Sequence, residues 1–266
     1  MARPFLTHRI VRFRDGVATA CDDAVATEEP LELRVGGRSV AVVMRTPGHD
    51  RELAAGFLLT EGLLARRDDL LDLIRCGPEG GTGNVLDAVL APGVTPDWER
   101  LSRHLFTSAS CGICSKAGIE ALQAARPRPV RPVRPRTAVL AELPARLRAA
   151  QEAFGATGGL HGAALFSIAG DLECAREDVG RHNAVDKVIG EAFLRDALPG
   201  PDRILLVSGR VSFEIVQKAG AAGLGCIAAV SAPTTAAVAL AAATGQTLVG
   251  FLRGGQMNVY AGTCAD

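Results

Sequence analysis

The chain has 266 residues, enough to bury a substantial core as one large domain or two smaller ones. Apolar residues make up 48% and charged residues 22%, which is the composition of a globular protein. Basic and acidic residues both total 29, so net charge favours neither a nucleic-acid nor a membrane partner. An aromatic content of 4% also argues against base stacking on single strands.

The N-terminus and the cysteine count predict a cytoplasmic protein with reduced thiols. The first residues lack the apolar core and cleavage site of a secretory signal. Seven cysteines, an odd number, argue against a disulfide framework in such a chain. The most apolar stretch, 231–251, contains Pro233, Gly245 and Gln246, so we expect a buried helix followed by a strand rather than a membrane span.

The N-terminal portion, residues 1–125, predicts a small α+β arrangement. Apolar residues alternate on both sides of Gly36-Gly37, which indicates a β-hairpin over 31–44. Asp50 follows a Pro-Gly break and is a suitable N-cap. The other elements predicted here are a helix over 50–64, a short helix after residue 69 and a strand over 84–90.

Residues 126–136, RPRPVRPVRPR, predict a boundary between two portions of the chain. Proline at nearly every second or third position forbids a helix and favours a stiff, extended segment. We interpret it as a solvated spacer, with contact between its arginines and an acidic partner as the alternative.

The C-terminal portion, residues 137–266, predicts an α/β domain. Beyond residue 157 strands alternate with helices through short connections, the pattern of an α/β sandwich with a largely parallel sheet. The predicted strands cover 163–168, 172–175, 203–207, 226–230 and 247–252, and the predicted helices cover 183–194, 213–222 and 234–244.

The pair Cys111 and Cys114 is the strongest local signal of chemistry. The pair precedes a predicted helix that runs to about residue 125, and Lys116 adds a cation; both features lower a thiol pKa. Such a pair can be a dithiol, half of a zinc site, or a persulfide carrier beside a resolving thiol. Zinc is disfavoured because the sequence has no second Cys-x-x-Cys and no closely spaced histidine pair. We expect the other five cysteines to be inert.

Two further groups of residues predict a ligand site. His161 and His182 lie in glycine-rich or strongly charged surroundings and are candidate proton carriers, although a solvated, salt-bridged helix start over 177–187 is the alternative. Polar turns at 208–210, 231–234 and 253–258 each follow an apolar strand. Since ligands bind at the carboxyl ends of strands in α/β sheets, these turns suit a phosphate-bearing ligand.

Together these segments resemble the FdhD family, the sulfurtransferases that assist formate dehydrogenases. The resemblance covers most of the chain outside the first residues and the proline-rich segment. The segments that carry it are TPGHD (46–50), CGIC (111–114), TGGLH (157–161), EDVGRHNAVDK (177–187), SGR (208–210), SAPT (231–234) and the tail 247–260.

The resemblance implies both a fold and a mechanism. The fold would be a cytidine-deaminase-like α/β sandwich without zinc, with a smaller N-terminal α+β portion, in a homodimer. A cysteine desulfurase would pass sulfane sulfur to Cys111, with Cys114 beside it. The protein would then transfer the sulfur to the molybdenum bis(molybdopterin guanine dinucleotide) cofactor of the formate dehydrogenase catalytic subunit. The residues expected to contact this cofactor by resemblance are Phe251, Leu252, Arg253, Gly254, Gly255 and Gln256; the strand-end turns add Arg210 and Asn258.

Two other functions compete with this one. A non-catalytic chaperone would bind the molybdenum cofactor without carrying sulfane sulfur. A dithiol oxidoreductase would turn over a disulfide substrate and would not need Arg253.

Overall fold

The computed structural model describes residues 3–77, 83–96, 98 and 129–266. Within these ranges the chain forms a two-stranded, a four-stranded and a six-stranded sheet, with helices packed on both faces of the largest. No helix in these ranges is long and apolar enough to cross a membrane. The strands are β1 (Phe5–Arg14), β2 (Val17–Ala26), β3 (Glu29–Val35), β4 (Arg38–Arg45), β5 (Leu70–Cys76), β6 (Val85–Leu90), β7 (His161–Ser167), β8 (Leu172–Asp178), β9 (Arg203–Val207), β10 (Cys226–Ala229), β11 (Thr247–Arg253) and β12 (Gln256–Ala261). The α-helices are α1 (Asp50–Thr60), α2 (Thr137–Ala149), α3 (Glu152–Thr157), α4 (Arg181–Leu194), α5 (Phe213–Ala221) and α6 (Thr235–Thr244).

The N-terminal portion confirms the predicted hairpin and first helix but not the second helix. Strands β3 and β4 pair around Gly36-Gly37, in the four-stranded sheet of order β4-β3-β6-β5. After residue 69 the chain forms strand β5, because Leu70 and Leu73 enter the core while β6 supplies the backbone partners. Only a single 3₁₀ turn precedes it, held by Asp69, whose carboxylate accepts from the N–H groups of Ala65 and Arg66.

The C-terminal portion confirms the predicted α/β sandwich, but the prediction of a largely parallel sheet is wrong, because only two of the five strand pairings are parallel. Its six-stranded sheet has the order β12-β11-β10-β9-β7-β8, in which β9, β10 and β11 run parallel and the other strands are antiparallel to their neighbours. One face packs against α2 through Leu140, Leu143 and Leu147. The other face packs against α4, α5 and α6. Most residues of β7 and β9 are therefore buried, and successive side chains point alternately into the two apolar layers.

The proline- and arginine-rich segment is extended, as predicted, but its described residues are not a solvated spacer. Val130 and Val133 are buried, and the Val130 N–H donates to the carbonyl of Thr244. Thr247 Oγ1 donates to the carbonyl of Val133 at 2.6 Å. Val133 belongs to the apolar layer beside α2, a contact that proline content could not reveal. The domain boundaries themselves remain a prediction.

Helices α1 and α4 join the two portions through an unusually close backbone contact. A Cβ on Gly56 would overlap the carbonyl group of Asp186, and a Cβ on Gly190 would overlap the carbonyl oxygen of Glu52. Any side chain at these positions would therefore force the helices apart. The two portions share one continuous apolar core across this contact.

We predict that Gly190→Ala lowers the free energy of unfolding by about 3 kcal/mol or more, because the added methyl group meets backbone that cannot move aside. Urea denaturation would measure the change. Gly155→Ala in α3 is the matched control, because its Cβ would meet nothing closer than Arg148 Nη1 at 3.8 Å and alanine favours a helix. Equal midpoints for wild type and Gly190→Ala would contradict the close contact.

Candidate functional site

Cys111 and Cys114 lie outside the described residues. The five other cysteines are free thiols. Burial raises the pKa of Cys174 to about 12, and burial also raises the pKa of Cys226. Both thiols therefore stay protonated and unreactive near neutral pH, as expected of inert residues.

The three polar turns predicted from the sequence meet at one edge of the six-stranded sheet, which we call the strand-end edge. Strands β9, β10 and β11 are parallel, so their carboxyl ends share this edge. Backbone hydrogen bonds join the turns directly. The Val211 N–H donates to the carbonyl of Ala232 at 3.1 Å, and the Phe251 N–H donates to the carbonyl of Ser231 at 3.1 Å.

The β11–β12 hairpin presents most of the predicted cofactor-contacting residues at this edge. Phe251, whose ring is half-buried, has a left-handed backbone (φ 52°) at a β-bulge. The Arg253 guanidinium lies 5.7 Å from the centre of that ring. Leu252 differs from the other residues predicted for this loop, because its side chain is buried in the core and only its backbone can face a ligand.

The turn and the second strand of the hairpin are open. Gly254 and Gly255 both have positive φ, and a Cβ at either position would have no neighbour within 4 Å. Gln256 and Asn258 follow with exposed side chains. The backbone can therefore approach a ligand closely at this turn.

The antiparallel strands bring further residues to the same edge. Strand β7 begins there with His161, and α4 begins there with Arg181, just after β8 ends. The His161 ring lies against Gly209, where a Cβ would be 3.2 Å from its Nδ1 atom. Burial, together with the positive charges of Arg181 and Arg210, lowers the pKa of His161. The imidazole is therefore neutral at pH 7.

His182 links the first turns of two helices at this edge. Its Nε2 atom lies 2.9 Å from the Glu214 carboxylate and 3.2 Å from the Ser212 hydroxyl. Ser212 is the N-cap residue of α5, and His182 is the second residue of α4. The sequence did not indicate that Glu214 belongs to this group, because the contact joins residues 32 positions apart.

The charged run 177–187 forms a buried structural centre rather than a solvated helix start. Asp178 is fully buried, and its carboxylate accepts from Lys187 Nζ at 2.8 Å, the Thr46 N–H at 3.1 Å and the Gly180 N–H at 2.8 Å. Lys187 is also buried and donates to the carbonyl of Thr46. These bonds fix the start of α4, and hence Arg181 and His182, at the strand-end edge.

A cavity of about 860 Å³ lies beside β8 and is lined by residues of both portions of the chain. The sequence did not predict a site here, although the run TPGHD (46–50), one of the segments that carry the family resemblance, lines the cavity. Arg45 is buried and donates to Glu29, Asp50 and Asn84, and Arg75 also donates to Asp50. The charged groups of this wall are thus neutralised by one another.

A second ion-pair group, of His49, Glu52 and Arg176, lies in or beside this cavity. Arg176 donates two hydrogen bonds to Glu52, and His49 Nδ1 is 3.2 Å from the same carboxylate. Burial opposes ionisation of Glu52, but the hydrogen bonds from His49 and Arg176 outweigh it and lower its pKa to about 2. This group ties α1 to β8, which favours a structural role.

Residues 26–264 match the profile of the FdhD/NarQ family. The chain is 50% identical to the Sulfur carrier protein FdhD of Streptomyces coelicolor over 269 residues, covering 98% of this chain and 95% of that protein. It is 52% identical to the Sulfur carrier protein FdhD of Mycobacterium tuberculosis over 264 residues, covering 95% of each. A crystal structure from Desulfotalea psychrophila, of a protein provisionally assigned as a formate dehydrogenase accessory protein, superposes with a TM-score of 0.77 at 24% identity and covers 97% of each chain.

We predict that Glu52 stabilises the fold above its unfolded-state pKa of 4.5 and that this stabilisation is lost as pH falls through 4.5 towards 2. The full pKa shift corresponds to about 3 kcal/mol at neutral pH. Urea denaturation of wild type and Glu52→Gln at several pH values between 7 and 2 would measure this contribution. The difference between their free energies of unfolding should shrink as pH falls over this window. Glu142→Gln, which removes an exposed ion pair with Arg146, is the control. A difference in unfolding free energy that does not depend on pH would refute this role of Glu52.

Proposed function

The chain belongs to the FdhD/NarQ family, and from this membership we propose that it is a sulfur carrier that serves formate dehydrogenase as a sulfurtransferase. The observation that carries the proposal is the near-half identity, over almost the whole of both chains, to relatives named as sulfur carrier proteins.

Cys111 is the proposed sulfur acceptor. Its thiolate attacks the outer sulfur of a persulfide on a cysteine desulfurase; a new S–S bond forms at Cys111, and the donor cysteine leaves as a thiolate. Cys114 is placed three residues on in the sequence. Attack by its thiolate on the Cys111 sulfur would release the outer sulfur as hydrosulfide and leave a Cys111–Cys114 disulfide, so the two thiols supply the two electrons.

The proposed sulfur acceptor beyond the protein is the molybdenum bis(molybdopterin guanine dinucleotide) cofactor, bound as a substrate at the strand-end edge. Support comes from the chemistry gathered there. The half-buried Phe251 ring offers an apolar surface, the Gly254-Gly255 turn allows close backbone approach, and Arg210 and Arg253 are exposed cations. A ligand with several phosphates and two guanines matches these groups.

We predict that intact wild-type protein gains one reducible sulfur, about 32 Da, on incubation with an active cysteine desulfurase and cysteine. The gain should vanish in Cys111→Ala, and Cys114→Ala should retain it or release it more slowly. Intact-mass spectrometry before and after reduction measures the change. Cys21→Ala, which removes a partly exposed thiol on β2, is the matched control and should behave as wild type.

The same experiment separates the competing functions. A protein that acquires no sulfur from an active desulfurase, yet binds the cofactor, would be a cofactor chaperone. Turnover of a disulfide substrate without sulfur gain would identify a dithiol oxidoreductase. Sulfur gain that persists in Cys111→Ala would reject Cys111 as the acceptor.

We also predict that the protein binds guanosine diphosphate, which corresponds to one of the two nucleotide parts of the expected cofactor. Arg253→Gln should weaken this binding about tenfold, because a charge-assisted contact to phosphate is lost. Isothermal titration calorimetry measures the affinity. Arg14→Gln, at the exposed end of β1, removes the same charge far from the site and should leave the affinity unchanged. Equal affinities for wild type and Arg253→Gln would remove Arg253 from the ligand site.

A further inference from the structure

Strands β1 and β2 form a two-stranded ribbon that stands apart from the rest of the fold. They pair with each other over all ten residues, from Phe5–Ala26 at the base to Arg14–Val17 at the tip, and with no other described strand. The ribbon contacts α3 through β2, and Ala26 at its base lies beside Gly159. A two-stranded sheet that packs neither face is at best marginally stable in water, so the free part of this ribbon calls for a partner.

One face of the ribbon, which we call the alanine face, is open and largely apolar. Residues directly opposite each other in paired strands share a face, and successive residues alternate between the two faces. The cross-strand pairs of the alanine face that are exposed on both strands are Phe13–Ala18, Val11–Ala20 and Arg9–Asp22. Phe13 is 69% exposed and Val11 is 59% exposed. Large apolar side chains that are exposed side by side mark a contact surface.

The opposite face of the ribbon is better covered by its own side chains. It carries Ile10 opposite Cys21, and both are half-buried. Arg12 and Asp23 lie at the flanking positions of this face and form an ion pair at 3.2 Å that spans these two residues. The alanine face keeps its apolar side chains exposed, so that face has the greater need of a partner.

The two sides of the alanine face are complementary in size and in charge. Its β1 side carries the large side chains Phe13 and Val11 and the cation Arg9, whereas its β2 side carries alanines and the anion Asp22. In a contact between identical surfaces related by a two-fold axis, residue i meets residue j while j meets i. If the axis runs along the ribbon, β1 of each copy lies over β2 of the other. Phe13 then meets Ala18, and Arg9 meets Asp22, in both halves of the contact.

We propose that the alanine face is an interface between two copies of this chain, in which β1 of each copy packs over β2 of the other. Family resemblance implies a homodimer but does not say which surface forms it, and the inference is independent of the proposed sulfur transfer. Ten residues per strand make the ribbon about 34 Å long, so one face with the tip offers several hundred Å² per copy. That area is of the order of the roughly 800 Å² that each partner buries in a standard stable interface.

The charge of the ribbon favours a second copy over a nucleic acid or an acidic membrane. Either of those partners would require an excess of cations. Arginines and aspartates are instead balanced along the ribbon, as Arg9, Arg12, Arg14, Asp15, Asp22 and Asp23. A neutral surface that is divided into a basic and an acidic side is matched by its own two-fold copy.

Sedimentation equilibrium over a wide range of protein concentration measures the association. We expect wild type to dimerise and Phe13→Asp to weaken the dimer about tenfold or more, because the interface would bury a carboxylate without a partner. Val42→Asp is the matched control, since Val42 is 53% exposed on β4, outside the ribbon, and its substitution should leave dimerisation unchanged. Tm values verify that each variant is folded.

A charge exchange between copies tests whether the alanine faces meet. Arg9→Asp and Asp22→Arg each place like charges across the two-fold contact, so each variant alone should dimerise weakly. When the two variants are mixed, opposite charges meet at both contacts between copies, while the like charges within each chain remain. Recovery of association in the mixture can therefore arise only between copies. Native mass spectrometry separates the mixed dimer from the two homodimers by mass.

The strand arrangement is tested by isotope-filtered NOE spectra of a dimer mixed from labelled and unlabelled copies. We expect contacts between the Phe13 ring of one copy and the Ala18 methyl group of the other. Contacts between the two Phe13 rings would reject the arrangement, because β1 would then lie over β1.

Two other outcomes would overturn the interface. If wild type stays monomeric at every concentration, the ribbon is covered by another segment of the chain or by a different protein. If Phe13→Asp leaves a dimer intact, or the mixed charge variants fail to recover association, the dimer contact lies on another surface. None of these measurements depends on sulfur gain at Cys111, so failure of this inference and failure of the proposed function are distinguishable.

Discussion

The buried carboxylate of Asp178 is the interaction on which the rest of this structure depends. It is fully buried and accepts from Lys187, from Asn183 and from the backbone N–H groups of Thr46 and Gly180. An ion without solvent is tolerated only when its oxygens are fully satisfied, and loss of one partner costs about 3–5 kcal/mol. These donors come from the N-terminal portion, the end of β8 and the start of α4. One carboxylate therefore holds three separate parts of the chain in register.

The glycine contact between α1 and α4 makes this arrangement possible. Only with Gly56 and Gly190 can the helices approach until backbone meets backbone, and that approach brings the loop before α1 within reach of Asp178. A second buried pair, Lys218 with Asp186, stabilises the same region beneath α5, where Thr60 joins it. Burial opposes the charge of Lys218, but Asp186 outweighs it and raises the lysine pKa. The two portions of the chain consequently behave as one packed unit, with shared core residues from both.

Charge is divided unevenly across this unit. On the cavity side of β8 carboxylates neutralise the arginines that contact them, which suits groups that hold the fold together. At the strand-end edge Arg181, Arg210 and Arg253 lack such partners among the described residues. The turns there follow parallel strands, and α4, α5 and α6 also begin at this edge. Unpaired cations and helix N-termini both attract anions, so the two features together suit the anionic ligand proposed for this edge.

The amino-acid pattern alone was enough to predict five of the six strands of the C-terminal sheet, since apolar runs bounded by Gly, Pro and Ser depend only on local spacing. It missed β12, most of whose residues are exposed or half-buried. It also identified the turns that meet at the strand-end edge, because carboxyl ends of parallel strands share one side of a sheet. It could not show that the short stretch after residue 69 becomes β5, or that the proline-rich segment packs its valines into the core. It also could not show that β1 and β2 pair, since these mostly exposed strands carry little apolar pattern. Only the tertiary structure placed Arg181 beside His161 and Glu214 beside His182. Such contacts join residues far apart in the chain, and their partners are chosen by packing and burial rather than by any local pattern.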